Sequence, residues 1–453
     1  MTDAPTGRPN GSETPASGSE TPASGSETPA SGSETRSDAP DADSPGPTAP
    51  EDRIVSLDAL RGFALLGILV INVWLFSMPY ASAEYPPLFG DFTGANYWAW
   101  FASHVFFELK FMTLFTVMFG AGIVLFTRSK ERKGQPALRL HYRRTILLLG
   151  IGLGHAYLLW YGDILVAYAL CALLVVLARN WNPRRLLAVG LALLVVPSLL
   201  FLSLGMVADQ MPQDELDTFQ PSDEQLQSEI DAYQGGWLDQ MDHRVSTAIE
   251  GQTAGFLLWS FWRLTGLMLI GMALFKLGVL SNERSERFYR ILLVGGGISG
   301  LALILAGVWY RHAHDWAFVE SVFFATQFNY WGSLFLAGAY VAGIMLWCRH
   351  RPEGILTGAF AAVGKTAFSN YLLQTILATT IFYGHGLGLF AQVSRAEALG
   401  IVVLIWAIQV PLSVHWLRYF RFGPVEWVWR TLTYGTREPI IREDSRPAGE
   451  TGD

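Results

Sequence analysis

One histidine lies inside a long apolar run, where an ionisable side chain is rare and therefore informative. The apolar run 145–161 contains His155, and Asp163 follows at the turn into the next run. A histidine can act as a general base when a carboxylate orients its ring. Asp163 is the nearest carboxylate that could do so. The alternative is a structural histidine that caps a neighbouring helix by hydrogen bonding.

A second polar group stands at the start of the first apolar run. Asp58 and Arg61 are one helical turn apart, and Asn72 falls on the same side of a helix with about 100° per residue. Opposite charges at a membrane entrance are costly, so this stripe is expected to face a protein interior or a wet cavity. A plainer interpretation is that Asp58 favours the helix dipole and pairs locally with Arg61.

Basic residues could form an anion site near the same end of the predicted bundle. Arg144 shares a helix face with His155, because positions 144, 148, 151 and 155 follow at intervals of four and three residues. Arg143 and Arg144, with Arg61 and Lys365, could bind the phosphates of a substrate, since guanidinium groups bind phosphate through paired hydrogen bonds. For each of them alone, ordinary anchoring of a cytoplasmic loop is the simpler explanation.

Two further apolar runs carry polar side chains. His104 and Glu108 are four residues apart on one face of a predicted span, which suits a polar cavity, a proton path or an interhelical contact. Asn370 and Gln374 share a face of another span with His385. Amides in spans are often packing contacts worth about 1 kcal/mol or less each, so they are weaker candidates for ligand contact.

Several familiar chemistries are not indicated by the sequence. The histidine-rich segment 312–315 is a single loop without a second cluster, so no metal site is predicted. The pairs Gly150/Gly154 and Gly296/Gly300 lie inside predicted spans and favour close helix packing over phosphate binding. The two cysteines suggest no disulfide framework. The formal charge of −7 comes from acidic segments, and no nucleic-acid partner is expected.

The composition indicates which elements must position these residues. Of 453 residues, 51% are hydrophobic and 16% are charged, against about 25% charged residues in an average soluble protein. A membrane span needs about 20 mostly apolar residues. Ten such runs are predicted, at 57–77, 99–127, 145–161, 163–179, 186–207, 255–278, 291–310, 323–347, 366–390 and 398–417. The expected fold class is all-α, a polytopic integral membrane bundle of about ten helices in a lipid bilayer.

Basic residues also predict the orientation of this bundle. The linker 128–144 carries seven Lys or Arg residues, and the linker 78–97 carries none. Further basic clusters follow on alternate linkers, as the positive-inside rule requires when both termini are cytoplasmic. No short cleavable apolar segment precedes the first run, which is therefore expected to act as an uncleaved anchor in the plasma membrane.

The chain is expected to divide into five parts. Residues 1–52 repeat Ser-Glu-Thr-Pro-Ala-Ser-Gly and are expected to form a disordered acidic tail. An acidic extracytoplasmic loop, 208–254, separates an N-terminal five-span bundle, 53–207, from a C-terminal five-span part, 255–437. Residues 438–453 are expected to form a second disordered tail.

Two short helices are predicted outside the spans. Ser222-x-x-Gln225 resembles a capping box and starts an exposed helix that reaches Tyr233. Near the C terminus, tryptophans alternate with Glu426 and Arg430, a pattern typical of a helix in the inner membrane interface.

Several motifs resemble one known family. The segments 56–69 (SLDALRGFALLGIL), 114–122 (LFTVMFGAG) and 155–165 look like the N-terminal half of YeiB-like membrane proteins. The segments 364–374 (GKTAFSNYLLQ) and 422–435 (FGPVEWVWRTLTYG) look like the C-terminal domain of unknown function 418. The motifs occur in order along most of the chain, which makes the resemblance specific.

The N-terminal half of that family is similar to a wider transmembrane acyltransferase group that includes heparan-α-glucosaminide N-acetyltransferases. Members of this group take an acyl unit from cytoplasmic acyl-CoA and deliver it to a sugar across the membrane, using a membrane-embedded histidine. The resemblance implies that Asp58, Arg61 and His155 are site residues, with the arginine pair near the CoA phosphates.

Three functions follow as hypotheses. In the first, acyl-CoA binds at a cytoplasmic mouth, and His155, oriented by Asp163, deprotonates an acceptor hydroxyl or amine. The substrate-binding residues expected are Asp58, Arg61, Asn72, Glu108, Arg143, Arg144, Asn370 and Gln374. In the second, the polar spans line the path of a secondary transporter for a small metabolite. In the third, the polar residues only hold helices together. A small-molecule substrate is expected in the first two, and a homo-oligomer is compatible with all three.

Overall fold

The computed structural model describes residues 54–212 and 220–442, and the regular structure of these residues is helical. The β-type pairing found within them is an isolated bridge between Phe420 and Ile441. The all-α class predicted from composition is confirmed. The expected N-terminal tail, part of the acidic loop and most of the expected C-terminal tail lie outside the described residues.

The helices of the N-terminal half follow the predicted apolar runs. They are α1 (Val55–Ser77), the short α2 (Tyr80–Glu84), α3 (Gly94–Phe106), α4 (Lys110–Arg132), α5 (Ala137–Leu158), α6 (Leu165–Val175) and α7 (Pro183–Ala208). The start of α7 shows why such helices begin where they do. The Asn182 side chain accepts a hydrogen bond from the Arg185 amide, and a proline occupies the first helical position.

The acidic loop and the C-terminal half contribute the remaining helices. They are α8 (Asp223–Gln234), α9 (Met241–Glu250), α10 (Phe261–Lys276), α11 (Glu286–Ala313), α12 (Ala325–His350), α13 (Ile355–Lys365), α14 (Ala367–Phe382), α15 (Arg395–Tyr419) and α16 (Pro424–Tyr434). Two π-helical segments, Gly251–Ser260 and Glu320–Phe324, lead into α10 and α12.

Seven helical segments of the described chain are long and apolar enough to cross a membrane. They are Val55–Ser77, Gly94–Arg132, Pro183–Ala208, Met241–Lys276, Glu286–Ala313, Glu320–His350 and Arg395–Tyr419. The apolar helices at α6 and α13 are shorter, and α5 and α14 fall outside this set. The protein is therefore a helical membrane protein, while the count of ten spans stays a prediction.

The predicted span 99–127 is not one continuous helix. The chain leaves α3 after Phe106 and enters α4 at Lys110, and Leu109 between them has a left-handed φ of 64°. This conformation is unfavourable for residues with a side chain, so the surrounding structure, and not local preference, imposes the break. The break carries Glu108 and the start of α4 into a buried polar region.

The predicted span 366–390 is also shorter as a helix. It ends at Phe382, and Gly388 with a φ of 69° helps the chain turn back. His385 therefore lies in a loop, and the expectation that it shares a helix face with Asn370 is wrong.

The predicted helix in the acidic loop is present as α8. Both hydrogen bonds of its capping box join Ser222 and Gln225. The helix is not simply exposed, however, because Tyr233 is completely buried and its ring centre lies 4.6 Å from that of Tyr383. One face of the loop thus packs against the helix bundle.

Glycines allow close helix contacts, although not always where their spacing predicts. A Cβ at Gly150 or Gly154 would meet nothing within 4 Å, so the predicted packing of that pair is wrong. Gly152 makes the contact instead, since a Cβ there would lie 2.9 Å from a backbone nitrogen at the start of α6. Gly296 and Gly300 face the backbone of α12 at 2.7 and 2.8 Å, as predicted.

A very close contact joins α1 to α13. A Cβ at Gly62 would lie 1.9 Å from the carbonyl oxygen of Phe360, and one at Gly364 would lie 1.9 Å from that of Asp58. Only glycine leaves room for backbones at this distance. The contact fixes the start of α1, with its Asp58–Arg61 pair, beside Lys365.

We expect Gly364→Ala to destabilise the protein strongly, because the backbone at Asp58 would have to move to make room for the methyl group. Overpacking of this kind costs about 1–3 kcal/mol and should lower the midpoint of thermal unfolding in detergent. Gly358→Ala is the matched control, since it lies on the same helix and its Cβ would meet nothing within 4 Å. Equal midpoints for the two variants would show that the close approach is not needed.

Candidate active site

A cavity of about 370 Å³ opens between α1, α4, α5, α6, α13, α14 and α16. One end of it is polar and carries more cations than carboxylates. The charged residues lining this end are Asp58, Arg61, Arg144, Lys365, Glu426 and Arg430. We call it the basic end. Its excess of positive charge suits an anionic group such as phosphate.

Beyond the basic end the cavity is apolar. Its walls lie one or two helical turns away from the basic end on α1, α4 and α5, and at the start of α6. The residues that form them include Leu65, Ile68, Phe115, Met118, Phe119, Leu148, Ile164 and Leu165. Tyr371 belongs to this wall, and its ring centre lies 5.1 Å from that of His155. The cavity therefore runs from a charged mouth to an inner end beside the buried histidine.

His155 has a hydrogen-bond partner at each ring nitrogen. Nδ1 lies 2.8 Å from Oδ1 of Asp163, and Nε2 lies 2.9 Å from Oγ1 of Thr375. Because a carboxylate only accepts, Nδ1 is assigned the proton and Nε2 accepts from the Thr375 hydroxyl. The side chains of His155 and Asp163 are 1% and 0% exposed. A carboxylate, an imidazole and a hydroxyl in this order can activate a hydroxyl group for acyl transfer.

The start of α6 holds Asp163 in place. The second carboxylate oxygen accepts a hydrogen bond of 2.8 Å from the backbone nitrogen of Val166. A carboxylate at a helix N-terminus is stabilised by such bonds and by the helix dipole. Ile164 and Leu165, which follow directly, line the cavity. The same turn therefore orients the histidine and forms the inner wall.

The polar stripe predicted on α1 is only partly gathered at the cavity. Asp58 and Arg61 both line it, and Nη1 of Arg61 donates to Oδ1 of Asp58 at 2.8 Å. This is the local pair that the plainer interpretation required. Asn72 is half-buried further along the helix and is not part of the lining. The structure does not bring it to the same site.

The two adjacent arginines of α5 are placed differently. The Arg144 guanidinium lines the cavity and lies over the rings of Trp429 at 4.2 Å and Phe126 at 5.1 Å. Arg143 is exposed, is not part of the lining and lies near Gly435, which follows the last residue of α16. One of the two predicted phosphate-binding arginines therefore reaches the cavity.

The amides of α14 make contacts between helices. Nδ2 of Asn370 donates to the Ser413 hydroxyl at 2.8 Å, and Nε2 of Gln374 donates to Oε1 of Gln409 at 3.0 Å. These bonds tie α14 to α15, and neither amide lines the cavity. Glu108 also lies elsewhere, in a separate buried cluster. The three residues are thus placed away from the cavity for which they were predicted.

Several residues near the site were not among those predicted from the sequence. Thr375 and Tyr371 are ordinary members of an apolar helix and carry no local signal. Glu426 did carry a local signal in the sequence, because a carboxylate is conspicuous among the tryptophans of an interfacial helix. Its Oε1 accepts from the backbone nitrogens of Phe368 at 2.7 Å and Ser369 at 3.2 Å, and its Oε2 accepts from the Ser369 hydroxyl. Glu426 thereby caps α14 and joins α16 to it.

Glu426 predicts a pH dependence of stability. Burial raises the pKa of its carboxyl group, although hydrogen bonds from Ser369 and Phe368 act in the opposite direction. A carboxyl whose pKa is raised by folding stabilises the protein below its unfolded pKa of about 4.3, and this contribution is lost as the pH rises through the raised value.

We therefore expect Glu426→Gln to flatten the fall in thermal midpoint as the pH rises above the unfolded pKa of about 4.3, because the amide does not titrate. Glu353→Gln, at an exposed position, is the control and should keep the wild-type slope. The same slope in all three proteins would contradict the assignment.

Apolar helices around a buried polar site define the class of this molecule, a polytopic helical membrane protein. Residues 274–436 match the family described as "Protein of unknown function (DUF418)". The chain is 34% identical over 400 residues to "Uncharacterized protein YeiB" of Escherichia coli (strain K12), which covers 87% of this chain and 100% of the relative. It therefore belongs to the DUF418 family of YeiB-like membrane proteins.

A second relative supports this membership. Identity to "Uncharacterized protein YxaH" of Bacillus subtilis (strain 168) is 32% over 412 residues, covering 88% of this chain and 98% of the relative. No solved structure gives a significant match to the chain. Both relatives align over nearly their whole length, so the similarity extends well beyond residues 274–436.

Proposed function

We propose that this protein is a membrane-bound acyltransferase, which moves an acyl group from acyl-CoA to a hydroxyl or amine of a second molecule such as a sugar. The observation that carries the proposal is the position of the His155–Asp163 pair directly behind the inner wall of a cavity with a cationic mouth, beside Tyr371. The mouth suits the CoA phosphates, and the apolar walls suit the pantetheine arm and acyl chain. A buried histidine oriented by a carboxylate suits general-base catalysis.

In the proposed reaction, Arg61, Arg144 and Lys365 hold the phosphates, and the thioester reaches the inner end of the cavity. In this reaction the acceptor hydroxyl or amine takes the place of the Thr375 hydroxyl, which is the present partner of Nε2 of His155. Nε2 takes the acceptor proton, the acceptor attacks the thioester carbonyl, and the carbon–sulfur bond breaks. The imidazolium then returns the proton to the leaving CoA thiolate. Asp163 keeps the ring oriented and stabilises its charged form.

The orientation proposed for this reaction places the basic end and both termini in the cytoplasm and the acceptor on the other side of the plasma membrane. The support is the asymmetry between linker 128–144, with seven basic residues, and linker 78–97, with none. A reporter enzyme that is active only outside the cytoplasm, fused after residue 442, should then be inactive. Activity of that fusion would reverse the orientation.

The proposal is tested by acyl-CoA binding to the purified protein, followed by acyl transfer in reconstituted membranes with a panel of sugar, alcohol and amine acceptors. Saturable binding in the micromolar range and acceptor-dependent release of CoA are expected. A well-folded protein that binds no acyl-CoA would overturn the proposal.

A secondary transporter is the second candidate, and one observation favours it. The break at Leu109 makes the segment Gly94–Arg132 a discontinuous helix with Glu108 and Lys110 at the break. Discontinuous helices form substrate and ion sites in several transporter folds. Uptake of a metabolite into proteoliposomes, driven by a proton or sodium gradient and without acyl transfer, would select this function.

A further inference from the structure

A second polar centre lies at the break between α3 and α4. The Lys110 ammonium donates to Oδ1 of Asn329 at 2.5 Å and to the carbonyl oxygen of His104 at 2.6 Å. Nε2 of His104 lies 3.1 Å from Nη1 of Arg311, and its Nδ1 lies 2.6 Å from Oε2 of Glu108. Helices α3, α4, α11 and α12 thus meet through one hydrogen-bonded network.

Arg263 of α10 extends this centre and is completely buried. Its Nη2 donates to the hydroxyls of Thr113 at 3.2 Å and Ser333 at 3.0 Å, and its guanidinium lies over the Tyr330 ring at 4.3 Å. Within the described chain, Nε and Nη1 of Arg263 are buried without a hydrogen-bond partner, and so is Nδ2 of Asn329. Buried donors of this kind are normally satisfied, by an ordered water or an ion where the protein supplies no acceptor.

The positive charges of the centre are not balanced by the described residues. Lys110, Arg263 and Arg311 are 0%, 0% and 4% exposed. Glu108 is the carboxylate that joins their hydrogen-bonded network, through His104, and among the described residues Lys110, Arg263 and Arg311 form no ion pair within 4 Å. An uncompensated charge inside a protein is strongly unfavourable, and more so at membrane depth. A negative group from outside the chain would remove this imbalance.

Backbone irregularities converge on the same place. Leu109 has its left-handed conformation directly before Lys110. The π-helical segment Gly251–Ser260 ends shortly before Arg263, and a second one, Glu320–Phe324, ends shortly before Asn329. Strained and π-helical segments are frequent at functional sites, where they place side chains that a regular helix would turn away.

We propose that Lys110, Arg263 and Asn329 bind one small anionic group, either a free inorganic anion or the carboxylate of a second molecule. The side chain of Glu108 is 34% exposed, so the centre is not sealed on every side, whereas that of His104 is 2% exposed. None of these residues lines the cavity at the basic end. The anion site is therefore independent of the acyltransferase proposal.

The test uses the purified full-length protein in detergent with 2-(N-morpholino)ethanesulfonate as the only anion, because this bulky sulfonate is too large for a buried site and carries no carboxylate. Sodium chloride and, separately, sodium acetate are titrated while the thermal midpoint is followed. A saturable rise on the order of 2 °C or more is expected for the wild type. Arg263→Gln should abolish the rise, and Arg287→Gln, at an exposed position, should keep it.

Comparing the reference buffer with chloride also separates ligand binding from a structural role of Arg263. In the sulfonate buffer, Arg263→Gln should be at least as stable as the wild type, because an unbalanced charge has been removed. A structural arginine would instead lower the midpoint equally in both salts, which would overturn the proposal. If Arg263→Gln does not fold, Lys110→Met provides the same comparison.

The outcome with each anion identifies the source of the group. A saturable response to chloride supports a free inorganic anion, and a response to acetate alone supports the carboxylate of a larger molecule. No response in the wild type overturns the site. A non-saturating rise that is equal in Arg263→Gln also overturns it, since that is a general effect of salt.

Discussion

Replacement of His155 by alanine is expected to abolish acyl transfer and to leave acyl-CoA binding unchanged. The histidine does not line the cavity but lies behind it, in contact with Tyr371 and Thr375. Its loss removes the general base, which contributes about 10²- to 10⁴-fold to the rate, without removing a phosphate contact. The measurement is CoA release by reconstituted protein, compared with the dissociation constant for acyl-CoA in detergent.

Asp163→Asn tests the orientation of the ring separately from its presence. An asparagine can donate its amide to Nδ1 and so favour the tautomer with the proton on Nε2, which can no longer accept one. A loss of about 10³-fold or more in transfer rate is expected, again with binding retained. His415→Ala, an exposed histidine of α15, is the control and should keep full activity. Substantial transfer by His155→Ala would remove His155 from the mechanism.

The fold could be predicted as far as it is written in local composition. Long apolar runs must become helices in a bilayer, because every backbone polar group has to be satisfied within the segment. The break at Leu109 could not be predicted, because it depends on contacts of Lys110 with residues distant in sequence, such as its hydrogen bond to Asn329. The helix α13 was missed because 11 residues are too few for a span. The importance of α13 is shown by the structure, through the close contact of Gly364 with α1.

The site could be predicted where its partners are neighbours in sequence. Asp163 is eight residues from His155, and a single turn joins them. Thr375 is 220 residues from His155, and no pattern in an apolar helix distinguishes it from other threonines. Asn72 shares a helical side with Asp58, but the cavity ends before reaching it. A shared direction on a helix therefore does not establish a shared site.

The second large expected effect concerns the two adjacent arginines of α5. Arg143 and Arg144 are adjacent residues of the same type, but a rotation of about 100° per residue turns Arg144 toward the cavity and Arg143 outward. A hydrogen bond to a charged group contributes about 1.5–3 kcal/mol, and every 1.4 kcal/mol is about tenfold in affinity. We expect Arg144→Ala to weaken acyl-CoA binding about 10- to 100-fold and Arg143→Ala to change it less than about twofold.

The comparison needs one more variant, because the Arg144 guanidinium also stacks on Trp429 and could hold α16 in place. Arg144→Lys keeps the positive charge and loses most of the stacking. Binding by this variant between those of the wild type and Arg144→Ala would assign the effect to charge at the mouth of the cavity. Binding as weak as in Arg144→Ala would assign it to the packing of α16.

Equal weakening by Arg143→Ala and Arg144→Ala would mean a general attraction to the basic surface. The cavity would then not be the CoA site, and transport would become the better explanation of the buried polar residues.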